Sequence, residues 1–308
     1  MSTAAEPRVE GTGRRRVSPA TLEQTVVGYL CLSPLLLHFL LFLAFPLVFS
    51  LYLSMTSWDL LSPDKPFVGL GNYAQLFHDA DFWRAAVNTV IFAFWRVVVG
   101  TVLALLLALL VNQKMRGISV FRGAIFAPVI TSLVAISVVW LWLYDPSYGL
   151  LNLPLKALGM TPLAWLQDPH LAMPAVIIMS IWKGVGYAMV IYLAGLQGIP
   201  EQYYEAALID GAGAWARFRF VTLPLLTPVT LFVLVISTIG AFQVFAQIYV
   251  MTSGGPVKST TVAVYYLYQQ GFQFFHMGYA SALAWVLFLV MLVLTVVQFR
   301  FFRQEVGL

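Results

Sequence analysis

The chain of 308 residues is 60% hydrophobic and only 10% charged, with mean hydropathy +0.85 and a formal net charge of +4. Soluble domains carry about 25% charged residues, so a water-soluble fold is excluded and lipid must be the solvent. The basic balance does not point to nucleic acid, because the cations follow membrane topology, and the single cysteine, Cys31, excludes an intrachain disulfide.

Residues 1–25, with Arg8, Arg14, Arg15 and Arg16, read as a disordered basic tail. The apolar run that follows, from Val26 to Met55, is far longer than the roughly 7–15 residue core of an export signal, so it reads as an uncleaved first span. A bilayer core about 30 Å thick needs roughly 20 apolar residues in a helix. Six stretches meet this: 28–54, 86–111, 124–144, 173–197, 226–250 and 281–301. Their continuity excludes the alternating pattern of a membrane barrel. The expected fold is all-α and integral to the membrane, with six spans over 26–303 and a short C-terminal tail at 304–308. Between the first two spans, Pro63, Pro66, Gly69 and Gly71 predict turns, followed by a short interfacial helix. Trp58, Trp83, Tyr144 and Trp165 fall near span ends, where aromatic rings favour the headgroup level.

Orientation follows from lysine and arginine placement. With the N-terminus cytoplasmic, the inner segments hold eleven cations (Arg8, Arg14, Arg15, Arg16, Lys114, Arg116, Arg122, Arg217, Arg219, Arg300, Arg303) and the outer segments four (Lys65, Arg84, Lys156, Lys258). Both termini and the segment 199–228 are then expected to be cytoplasmic.

That segment is a polar island between the fourth and fifth spans. Pro200 suits a first helical turn and Glu201 places negative charge at a helix N-terminus. Helix is expected over 201–210, a left-handed stop at Gly211, a second short helix from Ala212 to about Phe220, and membrane re-entry at Pro224 and Pro228. Small side chains (Ala206, Ala207, Ala212, Ala214) would let another surface approach, and Trp215, Phe218 and Phe220 would anchor it.

The spacing of Glu205-Ala206-Ala207, Gly211 and Leu223-Pro224 resembles the cytoplasmic coupling loop of ABC importer permeases, with Val221 where isoleucine is usual. The resemblance extends over residues 28–303 to Phe67-Val68-Gly69-Leu70-Gly71-Asn72-Tyr73, Asn88-Thr89, Trp182-Lys183-Gly184, Leu193-Ala194-Gly195-Leu196-Gln197, Ile199-Pro200 and Thr252-Ser253-Gly254-Gly255-Pro256. It is closest in kind to the maltose-permease type of carbohydrate permease. It implies a type I importer permease fold in a prokaryotic cytoplasmic membrane. It also implies a second homologous permease, two ATPase subunits that carry ATP and magnesium, and an extracytoplasmic solute-binding protein. This chain would supply the path, hold no cofactor of its own, and do no bond chemistry. The loop residues implied to meet the ATPase are Glu205, Ala206, Ala207, Asp210, Gly211, Trp215, Phe218, Leu223 and Pro224.

Ionisable residues inside spans are functional candidates by default. Arg96 and Lys183 lie near the middle of the second and fourth spans, and no Asp or Glu lies within any span. In the fifth, Gly240, Gln243 and Gln247 are expected on one helical face, flanked by Ser237 and Tyr249. In the fourth, Ser180, Gly184 and Tyr187 share a face. These eight residues (Arg96, Lys183, Tyr187, Ser237, Gly240, Gln243, Gln247, Tyr249) are the candidate pathway. Such residues equally suit interhelical packing, and each cation can instead serve structure. Neutral sugars are the solute the resemblance implies, with glycerol 3-phosphate as an alternative.

Gly254 to Thr260 superficially resembles a phosphate loop but has Val257 where glycine must precede the lysine. The four scattered histidines give no metal-ligand spacing. An autonomous secondary carrier would use membrane-embedded carboxylates, and the spans carry none.

Overall fold

The computed structural model describes residues 19–59, 61–113 and 115–306. The arginines expected in the N-terminal tail, Lys114 and the last two residues lie outside these. Among the described residues the regular elements are all helices, joined by turns and irregular segments, with two isolated antiparallel bridges, Thr56 with Phe67 and Asp59 with His276.

The chain divides into two compact bodies, one ending at Tyr52 and the other running from Leu53 to Leu308. The first holds α1 (Pro19–Phe39) and most of α2 (Phe45–Ser54), joined by a π-type turn at Leu40–Ala44. Helix is already formed at Pro19 because proline suits a first turn and Ala20, Leu22, Glu23 and Gln24 favour helix, so the helical part begins six residues before the end of the expected tail. Gln24–Ser54 is apolar enough to cross a bilayer.

The second body begins with α3 (Gly71–His78) and α4 (Ala80–Val111), then α5 (Ile118–Ile130) and α6 (Leu133–Leu143). Next come α7 (Leu153–Ala157), α8 (Ala172–Gln197), α9 (Glu201–Ile209), α10 (Ala214–Arg217) and α11 (Leu223–Leu225). It ends with α12 (Thr227–Phe242), α13 (Ala246–Met251), α14 (Ala263–Tyr268) and α15 (Met277–Val306). The α15 helix runs on through residues 304–306, inside the expected C-terminal tail. With Gln24–Ser54, the helices α4, α8 and Met277–Phe302 are long and apolar enough to span. The bent pairs α5–α6 and Ala214–Leu225 with α12 bring the number to six if each counts as one span.

Two expected spans are therefore not continuous helices. The third breaks between α5 and α6 with a 101° bend. Pro128 lacks an N–H for the helical ladder, and Thr131 and Ser132 are extended, with ψ of 154° and 133°. The fifth stops at Phe242, and Phe245 leaves helical geometry at φ −144° before α13 resumes. Gly240, roughly 1 kcal/mol poorer than alanine in a helix, weakens the stretch before this break. Irregular backbone at membrane depth is tolerated where it lines a cavity; Val129 and Leu133 beside the first break and Gln243–Phe245 at the second line one.

The main core packs α4, α6, α8 and α12–α14 around Phe92, Trp140, Tyr144, Met179, Phe242 and Ile248. Tyr144 sits in it, only 2% exposed, and its hydroxyl donates to the Ala175 carbonyl. It is thus a core residue and not part of an interfacial belt, and the Trp165 ring lies tilted against it at 5.5 Å.

Asp79 ties three helices together. Its Oδ1 caps α4 by accepting the Asp81 N–H at 2.8 Å, and its Oδ2 accepts the hydroxyls of Tyr266 on α14 and Tyr279 on α15. Burial alone pushes this carboxyl up, but the two phenols and the backbone N–H groups outweigh it and hold it below the usual carboxylate range. A depressed acid stabilises the fold above its unfolded pKa of about 3.9 and loses that contribution as pH falls through the lower folded value. Asp79→Asn keeps a good cap but removes the charge-assisted pair. The expected result is a thermal stability lower by about 1.5–3 kcal/mol at neutral pH. In melts of the purified protein, that difference should shrink below about pH 4.

Candidate functional site

A cavity of about 510 Å³ opens where α5, α6, α8, α12 and α13 meet α4. Its wall includes Arg96 from α4 and Ser180, Lys183, Gly184 and Tyr187 from α8. Ser237 and Gly240 come from α12, Gln243 and Phe245 from the break that follows it, and Gln247 from α13. Seven of the eight pathway candidates are therefore together. The one-face reasoning for the fifth span was incorrect, because Gln243 caps α12 and Gln247 belongs to α13. The unwound Gln243–Phe245 segment, not a continuous helix, turns both amides to the cavity. Tyr249 is the exception: it lies outside the cavity wall, in a ring cluster with Phe245 (5.5 Å), Tyr265 (6.4 Å) and Tyr268 (5.6 Å).

The polar residues differ in how far the protein occupies them. Gln247 is buried and its Nε2 donates to Ser180 Oγ at 3.4 Å, while Ser180 donates to the Val176 carbonyl. Lys183 Nζ donates to the Val129 carbonyl at 3.0 Å. That carbonyl lies at the broken end of α5, where the ladder no longer supplies a donor, so Lys183 caps the bend. Arg96 donates once, from Nη1 to the Ser237 carbonyl at 3.1 Å. A side chain on Gly184 or Gly240 would begin 3.7 Å and 3.6 Å from its guanidinium nitrogens. The guanidinium thus lies between two glycines, one on each facing helix, and lines the cavity. An uncompensated charge at the bilayer centre costs about 2.5–3.5 kcal/mol on insertion scales, and the cavity wall contains no carboxylate.

Reasoning from sequence missed Val129, Leu133 and Phe245, which enter the wall only because the helices break there. It also gave no role to Asn88 and Thr89. Asn88 Nδ2 donates to the Lys258 and Thr261 carbonyls at 3.1 Å and 2.9 Å, and Thr89 Oγ1 accepts the Ala263 N–H at 2.8 Å. With the Lys258–Asp81 ion pair at 2.6 Å, they pin the loop after α13 to α4. Within that loop the Gly254 and Gly255 carbonyls accept from the Thr261 and Thr260 hydroxyls.

The segment 199–228 forms a knob. Pro200 leads into α9, and Gly211 takes φ +78°, where only glycine is at ease. The Ala212 N–H reaches the Ala207 carbonyl at 2.8 Å and the Gly211 N–H reaches the Leu208 carbonyl at 3.0 Å, a Schellman stop with Asp210 as the C-cap. The second helix starts at Ala214, not Ala212, because Gly213 is extended (ψ 173°). It continues through a π-type turn (Phe218–Thr222) into α11, which carries Leu223 and Pro224. Tyr204 and Thr222 clip the two arms together at 3.0 Å. Glu205 and Ala206 are exposed, Phe218 and Leu223 are half-buried, and Trp215 (73%) and Phe220 (75%) stand in the open. Both arms continue into the cavity wall, α9 from α8 and α11 into α12.

Among the described residues no three His, Cys, Asp or Glu side chains gather as a metal site. Comparison with known proteins identifies the fold and its use. Residues 100–304 match the family described as the binding-protein-dependent transport system inner membrane component. A probable ABC transporter permease, YurN of Bacillus subtilis, is 38% identical, with 91% of this chain and 97% of that protein covered. The trehalose/maltose transport system permease protein MalF of Thermococcus litoralis is also 38% identical, over 91% and 95%. Among solved structures, a bacterial alginate ABC transporter in complex with its alginate pentasaccharide-bound periplasmic protein superimposes with a TM-score of 0.83. It is 25% identical and covers 93% of this chain and 97% of its own.

Proposed function

Since this chain belongs to the family of inner-membrane components of binding-protein-dependent transport systems and is an ABC importer permease, we propose that its cavity between α4, α8 and α12 carries a sugar or related polyol inward by alternating access. The observation that carries the reading is the convergence of Arg96, Tyr187, Ser237, Gln243 and Gln247 on one cavity at the two helix breaks. Amides and hydroxyls offer both donors and acceptors, as a polyol needs when it leaves water. Relatives named for trehalose/maltose and a structural neighbour named for alginate support a carbohydrate.

In this reading a binding protein delivers solute to the outer opening, as the periplasmic protein bound to the alginate transporter suggests. A second homologous permease completes the path. Two ATPase subunits holding ATP and magnesium grip the knob at Glu205, Ala206, Ala207, Asp210, Gly211, Trp215, Phe218, Leu223 and Pro224. Both termini are cytoplasmic, and the chain itself does no bond chemistry. Gln243 reaches the cavity without serving as packing, unlike Gln247. Gln243→Leu is expected to raise the solute concentration for half-maximal uptake about tenfold, the worth of about one hydrogen bond. Uptake into ATP-loaded vesicles by the reconstituted assembly measures it. Half-saturation equal to the unaltered protein would remove Gln243 from the path, and uptake without nucleotide would reject the importer reading.

A further inference from the structure

The relatives leave the charge of the solute open, since trehalose and maltose are neutral and alginate is acidic; the cavity does not. Its wall holds two cations and no Asp or Glu. On α8, α12 and α13 there is no acidic residue at all, and on α4 only Asp81, about four turns from Arg96. Of the two cations, Lys183 is committed to the Val129 carbonyl at the broken end of α5 and belongs to the fold. Arg96 also makes one bond, to the Ser237 carbonyl, but it carries five N–H donors in a fixed fork, and the two facing glycines place no side chain against it. While the cavity is open, water can solvate those N–H groups. When alternating access closes it around solute, water leaves and the charge must be met by the solute's own oxygens. A neutral sugar would offer it only hydroxyl acceptors, whereas an acidic group would accept a forked, charge-assisted pair of bonds, roughly twice as strong.

Resting on the importer reading, we infer that the solute carries an acidic group, a carboxylate or phosphate monoester on a sugar or polyol frame, and that Arg96 is its counter-ion and sets selectivity for charge. The surrounding Tyr187, Ser237 and Gln243 then take the hydroxyls.

The test is ATP-dependent uptake by the complete assembly with its binding protein in proteoliposomes. Glycerol 3-phosphate, galacturonate and an alginate trisaccharide are compared with maltose and lactose. Uptake of an anionic probe and of neither neutral sugar is expected, the probe that enters telling phosphate from carboxylate. Arg96→Gln should lower that uptake at least tenfold, and Arg96→Lys should retain more of it. Maltose or lactose uptake to the exclusion of the anions overturns the inference and leaves the importer reading intact. So does anion uptake by Arg96→Gln at the unaltered rate. Entry of any probe without nucleotide overturns both.

Discussion

Gly186→Leu is expected to leave little or no assembled permease in the membrane fraction, and Gly186→Ala to lower its melting temperature sharply. A Cβ at this position of α8 would stand 2.4 Å from the Ile125 carbonyl oxygen and 3.1 Å from the Ile125 carbonyl carbon and the Phe126 Cα. All three atoms are backbone of α5, so no side chain can swing away and the whole helix must move. Small residues at such crossings are what lets helices pack in lipid, where no hydrophobic force drives them together. Forcing extra volume into a packed contact costs about 1–3 kcal/mol, and more where backbone must shift. The displacement would also pull the Val129 carbonyl from Lys183 and open the bend that walls the cavity. Gly184→Ala is the internal control: two residues away, its Cβ would make only ordinary contact, 3.7 Å from Arg96. Size-exclusion profiles and melts of the two variants should therefore diverge. A Gly186→Ala protein that melts with the unaltered one would remove the backbone crossing as a determinant of the fold.

The same crossing marks where the sequence was legible and where it was not. Each span could be read because a segment of about 20 apolar residues has one stable state in lipid. The knob could be read because its signals are local: Pro200 starts a helix, Gly211 stops one, and each acts within a turn of itself. The breaks at Thr131–Ser132 and Gln243–Phe245 could not. Pro128 hinted at the first, but proline is tolerated inside membrane helices when neighbours satisfy the freed groups, and the neighbour here is Lys183, more than fifty residues away in sequence. Tyr249 was misplaced for the same reason. Its spacing from Gln243 and Gln247 was counted along a helix that the chain does not make. Asp79 was a missed signal of the readable kind, an acidic residue directly before a long helix, where a cap belongs. Its second partnership, with Tyr266 and Tyr279, is tertiary and left no local trace.

Trp215→Ala is expected to abolish solute-stimulated ATP hydrolysis and transport while leaving the stability of the permease unchanged. The two effects separate because Trp215 is 73% exposed and its ring lies tilted against Phe218, 5.5 Å between centroids. Its removal leaves no cavity in the fold, yet exposed tryptophans are the commonest anchors of interfaces, and truncating one costs about 2 kcal/mol or more. That is roughly thirtyfold in affinity. The consequence reaches the pathway because of how the chain is strung. One arm of the knob is α9, joined to α8 through Gly198, Ile199 and Pro200, and the other is α10–α11, running into α12 through a 64° bend. Those same two helices carry Lys183, Gly184 and Tyr187 on one side of the cavity and Ser237, Gly240 and Gln243 on the other. Under the proposed coupling, a load applied to the knob would reach both cavity walls along these connections. The Tyr204–Thr222 contact joins the two arms. Gly211→Val tests the rigidity of that piece: a β-branched residue at φ +78° costs about 1–2 kcal/mol in the left-handed region, though nothing lies within 4 Å to clash. It should weaken coupling with a smaller loss of ATPase binding than Trp215→Ala. Pull-down of the ATPase subunit, melts of the permease and stimulated hydrolysis, measured on the same preparations, separate the two. Trp215→Ala protein that retains its ATPase and couples normally would show that the grip lies elsewhere on the loop.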